Sequence, residues 1–252
     1  MEYRIKNLSW TEFMERKDEN KTVIIPTGAV EIYGPHLPMG SDGIVAHAIA
    51  EKVAERMNLL IAPSIDMADS SALLDIPGTF TLSKELYLMW LDELMQNLVG
   101  YGFEKFLFIT GHASTCDSVA YIAREYQLEN AIKWAQVDWW RFAAAHSEDI
   151  LEEKGRMAHG HASECGTSVM LYLRPDLVNM DKAERVEPDE KLYAFPDIQR
   201  FVPISDKTPN AIVGDASKGT AEKGEKIVKK SVDRIVEFLT KEWGLKEIGK
   251  EV

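Results

Sequence analysis

The chain predicts an α/β fold, a three-layer α/β/α sandwich around a mostly parallel central sheet. Two observations carry this expectation. Short continuous apolar runs alternate with stretches whose apolar residues recur at helical spacing. The runs also lack the polar alternation of half-exposed strands, which suits strands covered on both faces. The 252 residues, 45% apolar and 28% charged, are enough to bury a sizeable core without disulfides or metals as staples.

In order, the first predicted strand is 22–30, with a helix over 43–57 carrying Ile44, Ala48, Ile49, Val53 and Met57. Asn58 is a plausible stop for that helix. A strand at 59–62 precedes a helix that Ser83 opens, running from Leu86 to Val99 and ended by Gly100-Tyr101-Gly102. A strand at 105–110, a helix at 117–128 and a strand within 131–137 follow. Glu164 to Leu173 reads as a helix ended before Pro175. The last helix, about 221–239, stacks Val228, Val232, Ile235 and Leu239 on one face. Strand–helix alternation of this kind places a parallel sheet between helix layers. The stretch 181–216 is rich in Pro, Asp and Lys and reads as mostly loop, either covering a site or making a plain surface excursion.

Composition excludes several functions. Acidic residues number 41 against 29 basic, for a formal charge of −12. A phosphate-tracking surface needs clustered Lys and Arg, so no nucleic-acid partner is expected. No run of apolar residues is long enough to span a bilayer, so no membrane partner is expected either. The start lacks the apolar core of a signal peptide, and two cysteines set up no disulfide framework. A cytoplasmic location is therefore expected, and Asn7-Leu8-Ser9 is read as a chance glycosylation match.

Ligands of open α/β sheets bind at the carboxyl ends of the strands. After the first strand stand Glu31, Tyr33, His36 and Asp42 in a loop rich in Gly and Pro. Carboxylate oxygens suit hard divalent cations, and imidazole suits zinc and its neighbours. Glu31 and Asp42 equally suit solvent or a helix cap, since Asp42 precedes a helix. After the third strand comes Gly111-His112-Ala113-Ser114-Thr115, and a third cluster holds His159, His161, Glu164 and Cys165. Four of the six histidines, His36, His112, His159 and His161, fall in these segments, which favours a metal site over scattered core histidines. His47 and His146 lie in helical stretches and read as structural, and Cys116 and Cys165 as small buried residues at helix starts. Trp139-Trp140 lines a pocket or packs in the core. No Walker loop, Gly-x-Gly-x-x-Gly or Gly-x-Ser-x-Gly elbow competes.

These blocks resemble the creatininase (creatinine amidohydrolase) family. Glu31-Ile32-Tyr33-Gly34-Pro35-His36-Leu37-Pro38 with Asp42 is similar to its Glu-Gln-His-Gly-Pro-His-Leu-Pro signature. Ile76-Pro77-Gly78-Thr79, Thr110 to Thr115, His161 to Ser168, and Gly214-Asp215 with Ala221 to Gly224 follow in the family's order. The resemblance implies one domain over 1–252, an α/β/α fold, homo-oligomers (commonly hexamers) and a centre of one or two divalent ions, zinc or manganese. It assigns Glu31, Asp42 and His112 as metal ligands, with Glu164 as a further ligand or the base. His161 becomes a catalytic histidine, and Tyr33 a weak ligand, hydrogen-bond donor or proton relay. His36, Ser114 and Thr115 become substrate-binding groups, with His36 or Glu164 open as replacement ligands.

The chain departs from the pattern at Tyr33, where the family has histidine, at Ser114, where creatininase has a ligand glutamate, and at Gly166, where the family has a second glutamate. The implied activity is metal-assisted hydrolysis of a small polar cyclic substrate, a cyclic amide cut at C–N or a keto-inositol-like ring cut at C–C. A linear amide or peptide, or a non-catalytic ligand-binding descendant, are the alternatives. The negative net charge gives no steering to an anion, so a neutral ring is expected.

Overall fold

Strand and helix alternate in the computed structural model much as the sequence predicts. It describes residues 1–195, 197–198 and 200–249. Four parallel strands, β1 (Thr22–Thr27), β2 (Leu60–Ile61), β3 (Lys105–Thr110) and β4 (Lys133–Asp138), form the sheet in the order β2-β1-β3-β4. Side chains alternate between the two faces of a strand. Ile24, Leu107 and Ile109 accordingly enter one core, and Val23, Ile25, Phe106 and Phe108 the other.

The helices are α1 (Trp10–Glu19), α2 (Ser41–Met57), α3 (Lys84–Gly100), α4 (Cys116–Glu129), α5 (Trp139–His146), α6 (Gly155–His159), α7 (Glu164–Leu173), α8 (Ile204–Lys207) and α9 (Ala221–Trp243). Side chains of α2, α5, α7 and α9 fill the first core, and those of α3 and α4 the second. The architecture is thus the expected α/β/α sandwich. Since β1 leads to β2 on one side and β3 to β4 on the other, the strand order reverses between β1 and β3. That reversal opens a crevice at their carboxyl ends.

Several boundaries differ from expectation. The first strand ends at Thr27, not at residue 30, and the chain from Gly28 to Gly40 is loop apart from a bridge between Val30 and Phe80. Pro26 sits in β1 without costing a ladder bond on the β2 side, because β2 pairs only with Val23 and Ile24. Helix α1 was not predicted. It has no fully buried residue, hence no apolar stripe, and its one sequence signal is the Ser9–Glu12 capping box. Helix α5, also unpredicted, follows β4 directly, with Asp138 accepting from the Arg141 N–H as its cap. The 181–216 segment is more ordered than expected. It contains α8 and an antiparallel pair, β5 (Arg185–Val186) with β6 (Gly214–Asp215). Residues 196 and 199 of that segment, and 250–252 of the expected domain, lie outside the described residues.

Glu164 departs from both of its expected roles. It opens α7, fully buried, and accepts from the backbone N–H groups of Glu152 (3.0 Å) and Glu153 (2.9 Å) and from Lys223 Nζ (2.7 Å). Its oxygens are committed to tying the loop before α6 to α9, and it is not part of the cluster that Glu31, Asp42 and His112 form. An anion in the first turn of a helix is also well placed against the helix dipole.

Two glycines set how closely the strand ends meet α2. A Cβ at Gly28 would stand 2.3 Å from Gly43 Cα, and one at Gly111 2.2 Å from the Asp42 carbonyl oxygen. Both contacts are with backbone, which cannot swing aside. Gly111→Ala is expected to cost about 3 kcal/mol or more in denaturant unfolding, at the upper end for overpacking, and to weaken cation binding by displacing α2. Unchanged unfolding would show that the segments are free to separate. Glu164→Gln is expected to cost about 2 kcal/mol, since it removes the charge from bonds to two backbone N–H groups and to Lys223, which keeps Glu152 at 2.6 Å. Its cation stoichiometry should be unaltered, and loss of the cation in that variant would restore Glu164 as a ligand.

Candidate metal centre

Glu31 lies in the loop after β1, Asp42 in the first turn of α2, and His112 two residues beyond β3. All three reach the β1–β3 crevice, and one ligand atom from each lies within 4.8 Å of the others. Asp42 is not the cap of α2, since the helix begins at Ser41 with Gly40 as its N-cap. The Asp42 carboxylate turns inward instead.

His112 Nδ1 is 3.1 Å from Glu31 Oε2 and 3.1 Å from Asp42 Oδ2. Its other nitrogen, Nε2, is 3.0 Å from the carbonyl oxygen of Asp69. A carbonyl only accepts, so Nε2 carries the proton of that bond, and the ring presents Nδ1 to the carboxylates. This is how a ligating histidine is usually oriented from behind. Ser114 bonds the same Nε2 and the same carbonyl. Ser70 donates to Glu31 Oε2 at 2.7 Å, and Trp140 Nε1 to Asp42 Oδ1 at 2.9 Å. Both carboxylates are almost wholly buried, and among the described residues no Lys or Arg pairs with either.

The electrostatics follow from this crowding. Burial and the Glu31 charge push Asp42 up to about 6. Burial also pushes Glu31 up, but the His161 hydrogen bond and the His112 and His161 charges bring it below its ordinary value. Burial alone would lower His112. The Asp42 hydrogen bond and the two carboxylate charges overcome that and push it up to about 9. With two carboxylates facing one imidazole, a positive charge belongs between them. Two hard oxygens and one nitrogen are a donor set for a divalent cation.

A cavity of about 450 Å³ opens on this cluster. His161 hangs in its wall. Its Nδ1 donates to the Ala211 carbonyl at 2.6 Å, and its Nε2 stands 3.5 Å from Glu31 Oε1. Burial lowers His161, but Glu31 outweighs it and holds the imidazole above its ordinary value. Tyr33 lies between Trp140 and His161, at ring-centre distances of 5.8 and 4.5 Å. Burial and the Asp42 and Glu31 charges hold its phenol well above the ordinary range, so it keeps its proton. Gly166 backs it: a Cβ there would stand 3.3 Å from Tyr33 Cε1. Trp139, by contrast, is fully buried in the core.

Two other expected groups are not in the cavity wall. His36 is buried behind the loop, with Nε2 2.9 Å from Thr167 Oγ1, and burial, helped by His161, lowers it to about 4. It neither meets the cluster nor faces the cavity. Thr115 is buried too, its hydroxyl donating to the His112 carbonyl at 2.8 Å, so it shapes the turn and does not present itself to a ligand. Ser114 does line the cavity. Cys165 also does, but burial and Glu164 push its thiol up to about 12, so it offers no thiolate. His47 pairs with Ser64 and Asp66, and His146 with the Phe142 carbonyl, away from the cavity. The 181–216 segment covers the site, with Tyr193, Ile204, Lys207 and Val213 in the wall. Sequence reasoning missed Arg156, Tyr193 and Lys207 altogether, because they lie in stretches without periodicity.

A family model described as creatininase, creatinine amidohydrolase, matches residues 6–239. The creatinine amidohydrolase of Pseudomonas putida is 25% identical over 95% of this chain and 96% of its own. A protein of Mycobacterium ulcerans named mycofactocin precursor peptide peptidase is 24% identical over 85% of this chain and 83% of its own. A 3-dehydro-scyllo-inosose hydrolase of Thermotoga maritima is 25% identical over 73% of this chain and 60% of its own. Among solved structures, a mutant creatininase superposes with a TM-score of 0.84 at 23% identity, covering 96% of this chain and 99% of that one. A manganese creatininase superposes with a TM-score of 0.83 at 23% identity over the same shares. These superpositions establish the fold, and the family match over nearly the whole length establishes descent: the chain belongs to the creatininase family of hydrolases.

Proposed function

We propose that this chain is a metal-dependent hydrolase of a small polar cyclic substrate, a cyclic amide opened at C–N or a cyclic ketone, such as a keto-inositol, opened at C–C. The observation that carries the reading is the buried Glu31–Asp42–His112 cluster at the floor of a cavity of about 450 Å³, the size of a small-molecule site. Relatives named for a creatinine amide and for an inosose ring support both bond types.

Glu31, Asp42 and His112 would hold one divalent cation, zinc or manganese by the donor set. When bound, such a cation lends Lewis acidity to a carbonyl and acidifies a water molecule. Among the described residues no other cluster of metal-ligating side chains forms beside it. Tyr33 and Ser114, at two positions where the resemblance implies further ligands, are a protonated phenol and a hydroxyl bonded to His112. One ion per chain is therefore proposed, not two.

The chain's own groups divide the remaining work. His161, fixed at Nδ1 by Ala211, holds and delivers a proton through Nε2, the role of a general acid near neutral pH. Tyr33 keeps its proton and donates it as a hydrogen bond to a substrate oxygen. Trp140 holds Asp42 by its N–H and walls one side against water. A relative named as a peptidase keeps open a second reading, cleavage of a linear amide.

Binding of a cation must displace the proton that His112 holds up to about 9. Calorimetry in buffers of different ionisation heat should show release of about one proton per ion between about pH 6, where Asp42 takes up its own proton, and about pH 9. Because the folded pKa is raised from 6.5, protonated His112 stabilises the chelated protein fully below pH 6.5 and ceases to as pH rises through about 9. Thermal stability after chelation should therefore fall across that window, and His112→Gln should flatten the fall. Added Zn²⁺ or Mn²⁺ should raise stability by about 2.7 kcal/mol at a hundredfold excess over Kd, with one equivalent bound. Glu31→Gln and His112→Ala should abolish the effect, and unchanged metal content in both would end the ligand assignment. The loaded protein incubated with creatinine, other lactams and keto-inositols should open one ring class. Turnover of linear peptides alone would select the second reading.

A further inference from the structure

Two cations stand in the wall of this cavity, and neither forms an ion pair with a carboxylate among the described residues. Arg156 projects from α6 and lays its guanidinium over the Tyr193 ring, 3.7 Å from the ring centre. The guanidinium makes no ion pair or hydrogen bond among the described residues. Stacking uses one face and leaves the edge, a rigid fork of N–H donors suited to an oxyanion. Lys207 ends α8 and is half-buried in the same wall. Its helix is seated by Ile204, which packs with Ile32, Leu73 and Ala211, so the side chain rises from a fixed base. Burial, opposed only by Asp75, holds its ammonium below its ordinary value, as expected of a charge that lacks full compensation.

The charges of the cavity can be counted. The other ionisable groups of the wall are Glu31, Asp42, three histidines, two tyrosines and Cys165. A dication at the cluster cancels its two carboxylates. What remains is a wall whose permanent charges, Arg156 and Lys207, are both positive, with Asp75 acting on Lys207 from outside the wall, in a protein of net charge −12.

We propose that Arg156 and Lys207 bind an anionic oxyacid group of the substrate, a carboxylate or a phosphate-like group, while the cluster engages the carbonyl to be cut. The inference rests on the hydrolase reading above and narrows it to amides or ketones that carry such a group. It replaces the neutral ring expected from net charge, which governs distant steering and not the cavity wall. Oxyanion recognition by paired cations is a short-range, charge-assisted interaction.

Calorimetry on the Zn²⁺-loaded protein with three matched amides tests it: N-acetylglycine, N-acetylaminomethylphosphonate and neutral N-acetylglycinamide. At least one acid should bind about tenfold tighter than the neutral amide, the size of one charge-assisted hydrogen bond. The tighter acid identifies the group. Arg156→Gln and Lys207→Gln should each remove the preference, and Arg156→Lys should keep part of it. Where an amide is turned over, the Gln variants should raise KM for the acid more than KM for the neutral amide. Equal or absent binding of all three, or a preference that survives both Gln variants, overturns the proposal. Failure of the protein to take up Zn²⁺ would instead overturn the hydrolase reading, so the two failures are separable.

Discussion

Two buried carboxylates facing one imidazole nitrogen are the interaction on which the rest of the structure depends. Burying a charge costs far more than burying an apolar group unless it is paired. Glu31 and Asp42 are nearly sealed from water, have no Lys or Arg partner among the described residues, and share His112 Nδ1 at 3.1 Å each. The surrounding fold can be read as what holds this unfavourable arrangement in place. Gly28 and Gly111 let the ends of β1 and β3 touch the start of α2 backbone to backbone. The carbonyl of Asp69 sets the His112 ring, that of Ala211 sets His161, and the Trp140 N–H sets Asp42. Each carboxylate thus has its oxygens aimed before any ligand arrives, which is the preorganisation a metal or transition state repays.

The two departures from the family pattern at Tyr33 and Gly166 form one steric unit. The Tyr33 ring lies over residue 166 so closely that even a methyl group there would be 3.3 Å from Cε1. A large side chain at 166 and the phenol at 33 compete for one space. The aromatic wall of Trp140, Tyr33 and His161 fills the side of the cavity next to Asp42 with flat, apolar faces. A second cation would need donors in that space, and the phenol, held protonated by burial and by both carboxylates, is a hydrogen-bond donor there.

The sequence showed the sheet, the five main helices and the residues at strand ends. Glu31, Asp42, His112 and His161 were legible because the carboxyl ends of parallel strands converge, a property of topology and not of side-chain detail. Glu164 and His36 were misread because a motif position says nothing of direction. Glu164 starts a helix whose buried face turns to Lys223, and His36 turns to Thr167. Trp139 and Trp140 show the limit most sharply. They are adjacent on one helix, so their side chains diverge by roughly 100°, and one enters the core while the other holds Asp42. Arg156, Tyr193 and Lys207 were invisible because they come from three separate short helical turns brought together only by tertiary packing.

The proton on His112 and a divalent cation answer the same electrostatic demand, and this couples stability to chemistry. Without any positive charge between them, Glu31 and Asp42 repel at short range in a poorly solvated space, and burial with the Glu31 charge raises Asp42 to about 6 even against the lowering effect of His112. Protonated His112 relieves that repulsion with one charge and a dication relieves it with two. The first leaves the cluster negative overall, and the second leaves it neutral. Only the neutral cluster lets Arg156 and Lys207 dominate the potential of the cavity, because a negative floor would itself attract them and repel an incoming anion. Cation occupancy would therefore act on substrate selection as well as on bond cleavage, and the basic pair would acquire its selectivity only when the floor is filled.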